Sequence, residues 1–352
     1  MKVLIIQQKM IGDVLTSSIL FEALKSEYPN SELHYAINSH TFPVVAYNPF
    51  IDQYKFITPE IEKSKLNFYA FLQNIKQEHY DAVIDVYSKF SSNLISKYSK
   101  AKTRISKQKW YTNFIYTQTF EEHSKPKTNA GLAIENRLRL LEPLVKSIPK
   151  VIHPKVYLRK EELESAKQLL IDSNINLSKP LYMISVLGSS DSKTYPLSQM
   201  ARLIEEIVNS TDGQILFNYI PKQIEDAQKI FNHCNEATQK HIYFEVFGRG
   251  LREFLAITKH CDALIGNEGG AINMAKALDI STFTVFSPWI MKEAWNMFED
   301  GKTHVSIHLK DVKPELYKGK KLKDMKKNVN SLYESFTPET IIPKLNTYLK
   351  QK

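Results

Sequence analysis

Residues 261–288, CDALIGNEGGAINMAKALDISTFTVFSP, carry the sharpest alternation of element types in the chain. Residues 262–265 form a short apolar run and Asn267-Glu268-Gly269-Gly270 has turn chemistry. Residues 271–278 have helical composition, and 282–286 are apolar and β-branched again. The order strand, glycine turn, helix, strand places the chain in the α/β class with a mainly parallel sheet. Paired glycines ahead of a helix let a ligand approach main-chain N–H groups that have no intrahelical partner. The helix dipole there favours a diphosphate. The alternative is a tight turn with no ligand, since no complete phosphate-loop consensus is present.

Working outward toward the N-terminus, the same alternation repeats. Helices are expected at 251–260, 224–231, 196–208 (opened by Pro196) and 161–172, with strands at 214–219 and 181–187. Residues 150–160, flanked by Pro149 and containing Pro154, read as an extended linker. Before it, 2–8 (KVLIIQQ) reads as a buried first strand, and Leu15, Ile19, Leu20 and Leu24 give 14–25 a helical face. Further strands are expected at 32–37, 54–57 and 82–86, and helices at 68–76 and 91–99. Two α/β units follow, 1–153 and 154–332, with a cleft expected between their strand ends, where ligands of open parallel sheets bind.

Toward the C-terminus, 310–330 is lysine-rich, without periodicity, and reads as irregular. Thr337-Pro338-Glu339 is a helix start, with Thr337 as N-cap and Pro338 at the first position. Ile341, Ile342, Leu345, Tyr348 and Leu349 then form an apolar face that requires a docking surface, although Pro343 bends such a helix.

The composition fits these two units. The 352 residues suffice for two cores, and 43% hydrophobic with 24% charged residues is ordinary for a globular protein. No apolar run reaches membrane-spanning length, and MKVLIIQQKM turns polar too early for a signal peptide, so a cytoplasmic location is expected. Cys234 and Cys261 have no metal or redox spacing, which predicts neither disulfides nor structural metal. His304 and His308 flank Val305 and Ile307 in a strand-like run, where the i, i+4 separation is too long for a helical metal pair. The net charge of +9 concentrates in two groups. One comprises Lys97, Lys100, Lys102, Arg104, Lys107 and Lys109; the other is Lys318, Lys320, Lys321, Lys323, Lys326 and Lys327, read as a solvated face. Nucleic-acid binding would rest on net charge alone, and no nucleic-acid partner is expected. A dehydrogenase is disfavoured because no G-x-G-x-x-G follows the first strand.

Three segments, in this order, resemble glycosyltransferase family 9, the lipopolysaccharide heptosyltransferases. Ile11-Gly12-Asp13-Val14-Leu15 is similar to that family's IGDVL signature after strand one. Gly188-Ser189-Ser190-Asp191-Ser192-Lys193-Thr194-Tyr195-Pro196 resembles its glycine/serine loop, which leads to a basic residue, an aromatic and a proline. GNEGGAINMAKAL, from Gly266, is similar to its GNDSGPMHLAAAL. The chain departs from that motif at Glu268 (usually Asp), Gly269 (usually Ser or Thr) and Asn273 (usually His). Asn273 lacks a titratable group but still donates hydrogen bonds to phosphate.

The resemblance implies the GT-B architecture: two Rossmann-like domains facing across a cleft, donor nucleotide in the second, acceptor facing the first. A last helix, residues 333–352, would return to the N-terminal domain. It implies an inverting, metal-independent enzyme with a nucleotide-sugar donor, ADP-heptose above others, as substrate and no resident cofactor. Asp13 would be the base that deprotonates the acceptor hydroxyl; the alternative is a helix N-cap. Lys193 would meet the leaving diphosphate, with Ser189 and Ser190 hydrogen-bonding it; the alternative is an exposed loop lysine. Gly188, Asn267, Glu268, Gly269, Gly270 and Asn273 would complete the donor site. Glu225, in a first helical turn, is a candidate for ribose hydroxyls. The absence of Asp-x-Asp argues against a carboxylate-held divalent metal.

The acceptor implied is an anionic glycolipid core. Gly12, Lys100, Lys102 and Arg104 are candidates to face it, with the basic group steering phosphates and holding the protein peripherally at the cytoplasmic face of the inner membrane. Two other readings stay open: another nucleotide-sugar donor for a different surface glycan, and a binding relative without turnover.

Overall fold

The computed structural model describes residues 1–149 and 151–351, leaving aside the side chains of Leu322 and Lys323. Lys150, at the start of the expected linker, and Lys352 lie outside the described residues, as does the Lys323 side chain of the second basic group. The chain forms two compact units, Met1–Tyr157 and Leu158–Lys352. The division falls a few residues beyond the expected boundary at 153, inside the extended segment that follows Pro154.

The first unit holds one sheet of six strands: β1 (Lys2–Ile6), β2 (Glu32–Asn38), β3 (Gln53–Ile57), β4 (Ala82–Asp85), β5 (Thr103–Lys107) and β6 (Gln118–Phe120). They lie in the order β3-β2-β1-β4-β5-β6, every pair parallel. This is the doubly wound order, in which the chain reverses its direction of travel between β1 and β4. Val3, Leu4, Ile5 and Ile6 are wholly buried, as a continuous apolar run must be when helices cover both faces of a parallel sheet. Neither β5 nor β6 is legible in the sequence. In β5 (TRISK) Ile105 is the only aliphatic residue, and β6 is three residues long.

The second unit holds β7 (Leu181–Ser185), β8 (Gln214–Asn218), β9 (Ala263–Asn267), β10 (Ser281–Val285) and β11 (His304–Ile307). Their order is β11-β10-β9-β7-β8, again all parallel, so the reversal falls between β7 and β9. The helix Leu197–Thr211 buries Met200, Leu203, Ile204, Ile207 and Val208, the i, i+3, i+4 stripe expected of a helix laid on a sheet. Each such side chain contributes roughly 1.5–3 kcal/mol of burial. His304 opens β11 and His308 follows its end, buried, so the strand reading of that pair holds.

Two expectations need correction. Residues 310–330 are not featureless: they break into short turns of helix, Leu309–Val312, Pro314–Tyr317 and Leu322–Met325, each too brief to show a period. The last helix, Pro338–Leu349, begins as expected after Thr337, although the Thr337 side chain makes no cap bond. It is, however, part of the second unit. Ile341, Leu345, Tyr348 and Leu349 join that unit's core, the Asn346 amide donates to Glu206, and Lys344 Nζ donates to the Ser306 carbonyl at 2.8 Å. The apolar face read from the sequence is satisfied within the second unit, by the helix Leu197–Thr211 and β11.

Candidate active site

In an open parallel sheet, loops after the strands on either side of the reversal diverge and leave room for a ligand. In the second unit those loops are 186–196, after β7, and 268–270, after β9. Asn267 joins them. Its Oδ1 accepts from the Tyr195 N–H at 2.7 Å and its Nδ2 donates to the Ser185 and Val186 carbonyls, both at 2.9 Å. Asn267 is buried with all these groups committed, so its expected place as a ligand contact is corrected to that of a latch between the two loops.

The loop after β7 is tightly folded. Gly188 N donates to Thr194 Oγ1 at 3.1 Å, and the Gly188 carbonyl accepts from Gln223. A Cβ at Gly188 would lie 2.4 Å from the Lys193 carbonyl oxygen, so only glycine closes this turn. The Ser192 carbonyl accepts from Ser287 Oγ and from the Trp289 indole, each at 2.8 Å. Ser189 and Ser190 are left exposed at the tip.

A cavity of about 800 Å³ opens beside this loop. Gly188, Ser189, Ser190, Lys222, Asp226 and Tyr333 contribute to its lining. Glu225 does not: in the helix Ile224–His233 it points to solvent, and the carboxylate on the cavity is that of the next residue, Asp226. The sequence reading was one residue out of phase, about 100° around a helix.

Glu268, Gly269, Gly270 and Asn273 lie on the other flank of the latch. Gly270 opens the helix Gly270–Ala277 and is exposed, and Ala271 and Asn273 are partly so, at a terminus whose first N–H groups have no intrahelical partner. Lys193 reaches across to this flank. Its ammonium lies 3.1 Å from Glu268 Oε1, an ion-pair contact without hydrogen-bond alignment, and 6.0 Å from the Trp289 ring centroid. Lys193 is thus a cation held by Glu268 at the turn that opens the helix Gly270–Ala277, and not a free loop lysine.

In the first unit the reversal lies between β1 and β4, and Asp13 follows β1. Met10 adopts φ +67°, which turns the chain into the helix Ile11–Ser17 and puts Asp13 in its first turn. Met10 occupies the N-cap position, so Asp13 is not the cap. Gly12 is half-buried, its carbonyl accepting from Thr16 Oγ1 at 2.7 Å. Arg137, which no motif marked, holds Asp13: Nη2 donates to Asp13 Oδ1 at 2.7 Å, Nε to Ser17 Oγ at 2.9 Å, and Nη1 to the Ala133 carbonyl at 2.8 Å. The guanidinium is fixed by these three bonds and orients the carboxylate through one oxygen. The second oxygen has no partner among the described residues.

Lys100, Lys102 and Arg104 are corrected. Lys100 and Lys102 precede β5 and so occupy the amino edge of the sheet, whereas Asp13 follows the carboxyl end of β1; in a parallel sheet these are opposite edges. Arg104 is spent on the Ala101 and Ile115 carbonyls. The members of that basic group at the carboxyl edge are Lys107 and Lys109. Lys107 lines a small hollow of about 70 Å³ with Arg137 and Arg139.

Residues 68–326 match the model for Glycosyltransferase family 9 (heptosyltransferase). The chain belongs to glycosyltransferase family 9. The part of this family 9 chain that matches includes the 188–196 loop and the 267–278 turn and helix, and begins beyond Asp13. Among characterised relatives, the lipopolysaccharide heptosyltransferase 1 of Campylobacter coli is 24% identical over 300 residues, covering 81% of this chain and 84% of that one. Among solved structures, the family 9 glycosyl transferase of Veillonella parvula aligns with a TM-score of 0.78 at 15% identity, over 100% of this chain and 97% of that one. The E. coli ADP-heptose LPS heptosyltransferase II aligns with a TM-score of 0.73 at 16% identity, over 100% and 99%. The family 9 fold is thus GT-B, two Rossmann-like units, and the protein is a glycosyltransferase.

Proposed function

We propose that this glycosyltransferase moves heptose from ADP-heptose to a lipopolysaccharide core acceptor by a single inverting displacement at the cytoplasmic face of the inner membrane. Asp13, through its unpartnered oxygen, takes the proton of the attacking hydroxyl. The C1–O bond to the diphosphate breaks as the new glycosidic bond forms, and the departing charge meets Lys193 and the amides that open the helix Gly270–Ala277. Ser189 and Ser190 hydrogen-bond the phosphates, Asp226 replaces Glu225 as the carboxylate for ribose, and Lys107 with Arg139 attracts anionic groups of the acceptor. The donor is a substrate; no resident cofactor enters the reaction.

The observation that carries this reading is the Lys193 ammonium held by Glu268 at the turn that opens the helix Gly270–Ala277, in a chain of this family; the cavity of about 800 Å³ lies on the opposite flank of the same loop, lined by Ser189 and Ser190. One observation favours another donor. The Lys193 charge is shared with Glu268, where the family motif has the shorter Asp, so the site presents less free positive charge than the motif implies. Calorimetry with ADP, UDP, GDP and CMP separates the two. The heptosyl reading predicts tightest binding of ADP and a loss of at least about tenfold with Lys193→Ala, the worth of one charge-assisted contact. Preference for another nucleotide transfers the assignment to that donor, and equal binding of all four contradicts both.

A further inference from the structure

The segment after β5 carries a feature that sugar transfer does not use. Trp110 is 87% exposed, Phe114 76% and Phe90 79%, with Tyr111 also outside and its ring 5.5 Å from that of Trp110. The segment is nevertheless firmly held. The Tyr116 hydroxyl lies 2.6 Å from Asp85 Oδ2 and 2.7 Å from Asn93 Oδ1, Arg104 Nε donates to the Ile115 carbonyl at 2.7 Å, and Thr112 and Ile115 are buried beneath. Lys109 Nζ donates to the Ser88 carbonyl and so ties the segment to the turn that leads into the helix Phe90–Tyr98. The aromatics are thus displayed on an ordered base, and contiguous exposed aromatics mark a contact surface.

Charge says what covers it. From residue 86 to residue 120 the sequence holds Lys89, Lys97, Lys100, Lys102, Arg104, Lys107 and Lys109 and not one Asp or Glu. Glu122, just beyond, lies 3.5 Å from Lys107 and offsets part of that excess. Aromatic rings with lysines at their margin are the composition of membrane-interface surfaces: the rings enter the headgroup layer and the ammonium groups meet anionic phosphates. A second copy of this chain fits poorly, because an isologous contact would set the same cations against each other. No helix among the described residues is long and apolar enough to cross a membrane.

We propose that Trp110, Tyr111, Phe114 and Phe90, with Lys89 and Lys107, form a docking face for an anionic phospholipid surface. The face adjoins the carboxyl ends of β4 and β5, the sheet edge that also bears Asp13. This goes beyond the donor assignment and does not depend on it, since lipid contact needs no nucleotide or turnover.

Co-sedimentation of the full chain with phosphatidylcholine vesicles, with and without phosphatidylglycerol, tests it. Binding is expected to need the anionic lipid and to shift Trp110 emission to the blue. It should fall by about tenfold or more in Trp110→Ser/Phe114→Ser, which removes two of the rings proposed to enter the headgroup layer. Lys100→Ser/Lys102→Ser, at the opposite edge, should bind within about twofold of the parent, because screened charges beyond a Debye length act weakly. Equal binding to both vesicle types, or unchanged binding by the aromatic double variant, overturns the proposal. So does a dimer in sedimentation velocity that the double variant abolishes. These side chains are exposed, so an unchanged melting temperature keeps a negative result interpretable.

Discussion

Asp13 and Lys193 each gain their meaning from a partner that sequence reasoning did not supply. Arg137 lies 124 residues from Asp13 and sits in an unremarkable helical turn. Without it, the carboxylate is one of many on a first helical turn; with it, one oxygen is fixed and the other is presented. Glu268 does the same for Lys193, at the cost of part of its charge. Lys276 shows the opposite case, a lysine in the family-like stretch whose chemistry is internal. It is buried, donates to the Met297 carbonyl at 2.5 Å, and its pKa is pushed down to about 8 by burial. Between about 8 and the ordinary value of 10.5 the unfolded chain holds this proton and the folded chain does not. Stability contributed by Lys276 therefore rises with pH across that window, by up to about 1.4 kcal/mol per unit. Urea unfolding of the parent and of Lys276→Met from pH 7 to 10 should show the gap moving in the parent's favour above pH 8. A gap that is flat with pH would contradict the buried neutral state.

At the scale of elements, the loop after β7 is the part that must not move. Gly188 lies so close to Lys193 that a methyl group would meet its backbone carbonyl, at 2.4 Å from the oxygen and 2.6 Å from the carbon. Gly188→Ala should open the 188–194 turn, lower stability by about 1–3 kcal/mol and weaken nucleotide binding. A variant that melts and binds like the parent would show that the turn is not a rigid donor cradle.

The strands and long helices of this unit were legible because each has a strong period: Leu181–Ser185 is continuous and apolar, and Leu197–Thr211 has a clean stripe. The turn between Gly188 and Pro196 was legible as a motif, but not its internal bonds. Asn267 reads as a polar ligand contact in sequence. Its role as a latch depends on the register that sets β9 beside β7, a long-range pairing no local window contains. Glu225 was misplaced against Asp226 although the helix start at Ile224 is legible: which of two adjacent first-turn carboxylates faces the cavity depends on how the helix is rolled against the loop after β7, a tertiary packing no local window contains. Lys100 and Lys102 looked close to Lys107 in sequence. A parallel strand of five residues separates them by roughly 16 Å, from one sheet edge to the other.

For the molecule as a whole, two doubly wound sheets each bring their chemistry to the carboxyl edge at the point where strand order reverses: Asp13 beside β1 and β4, Lys193 and Gly270 beside β7 and β9. The charge excess is also distributed with purpose, with an acid-free stretch of the first unit surrounding exposed aromatics. The proposed mechanism assigns proton removal to the first unit and leaving-group stabilisation to the second. The central claim is that Asp13 is the base. Turnover of an ADP-heptose donor by Asp13→Asn, measured together with ADP affinity, tests it most directly. The account predicts that the rate falls by about a hundredfold or more, the usual worth of a positioned base, while ADP binds as tightly as to the parent. An unaltered rate in the Asn variant would contradict it.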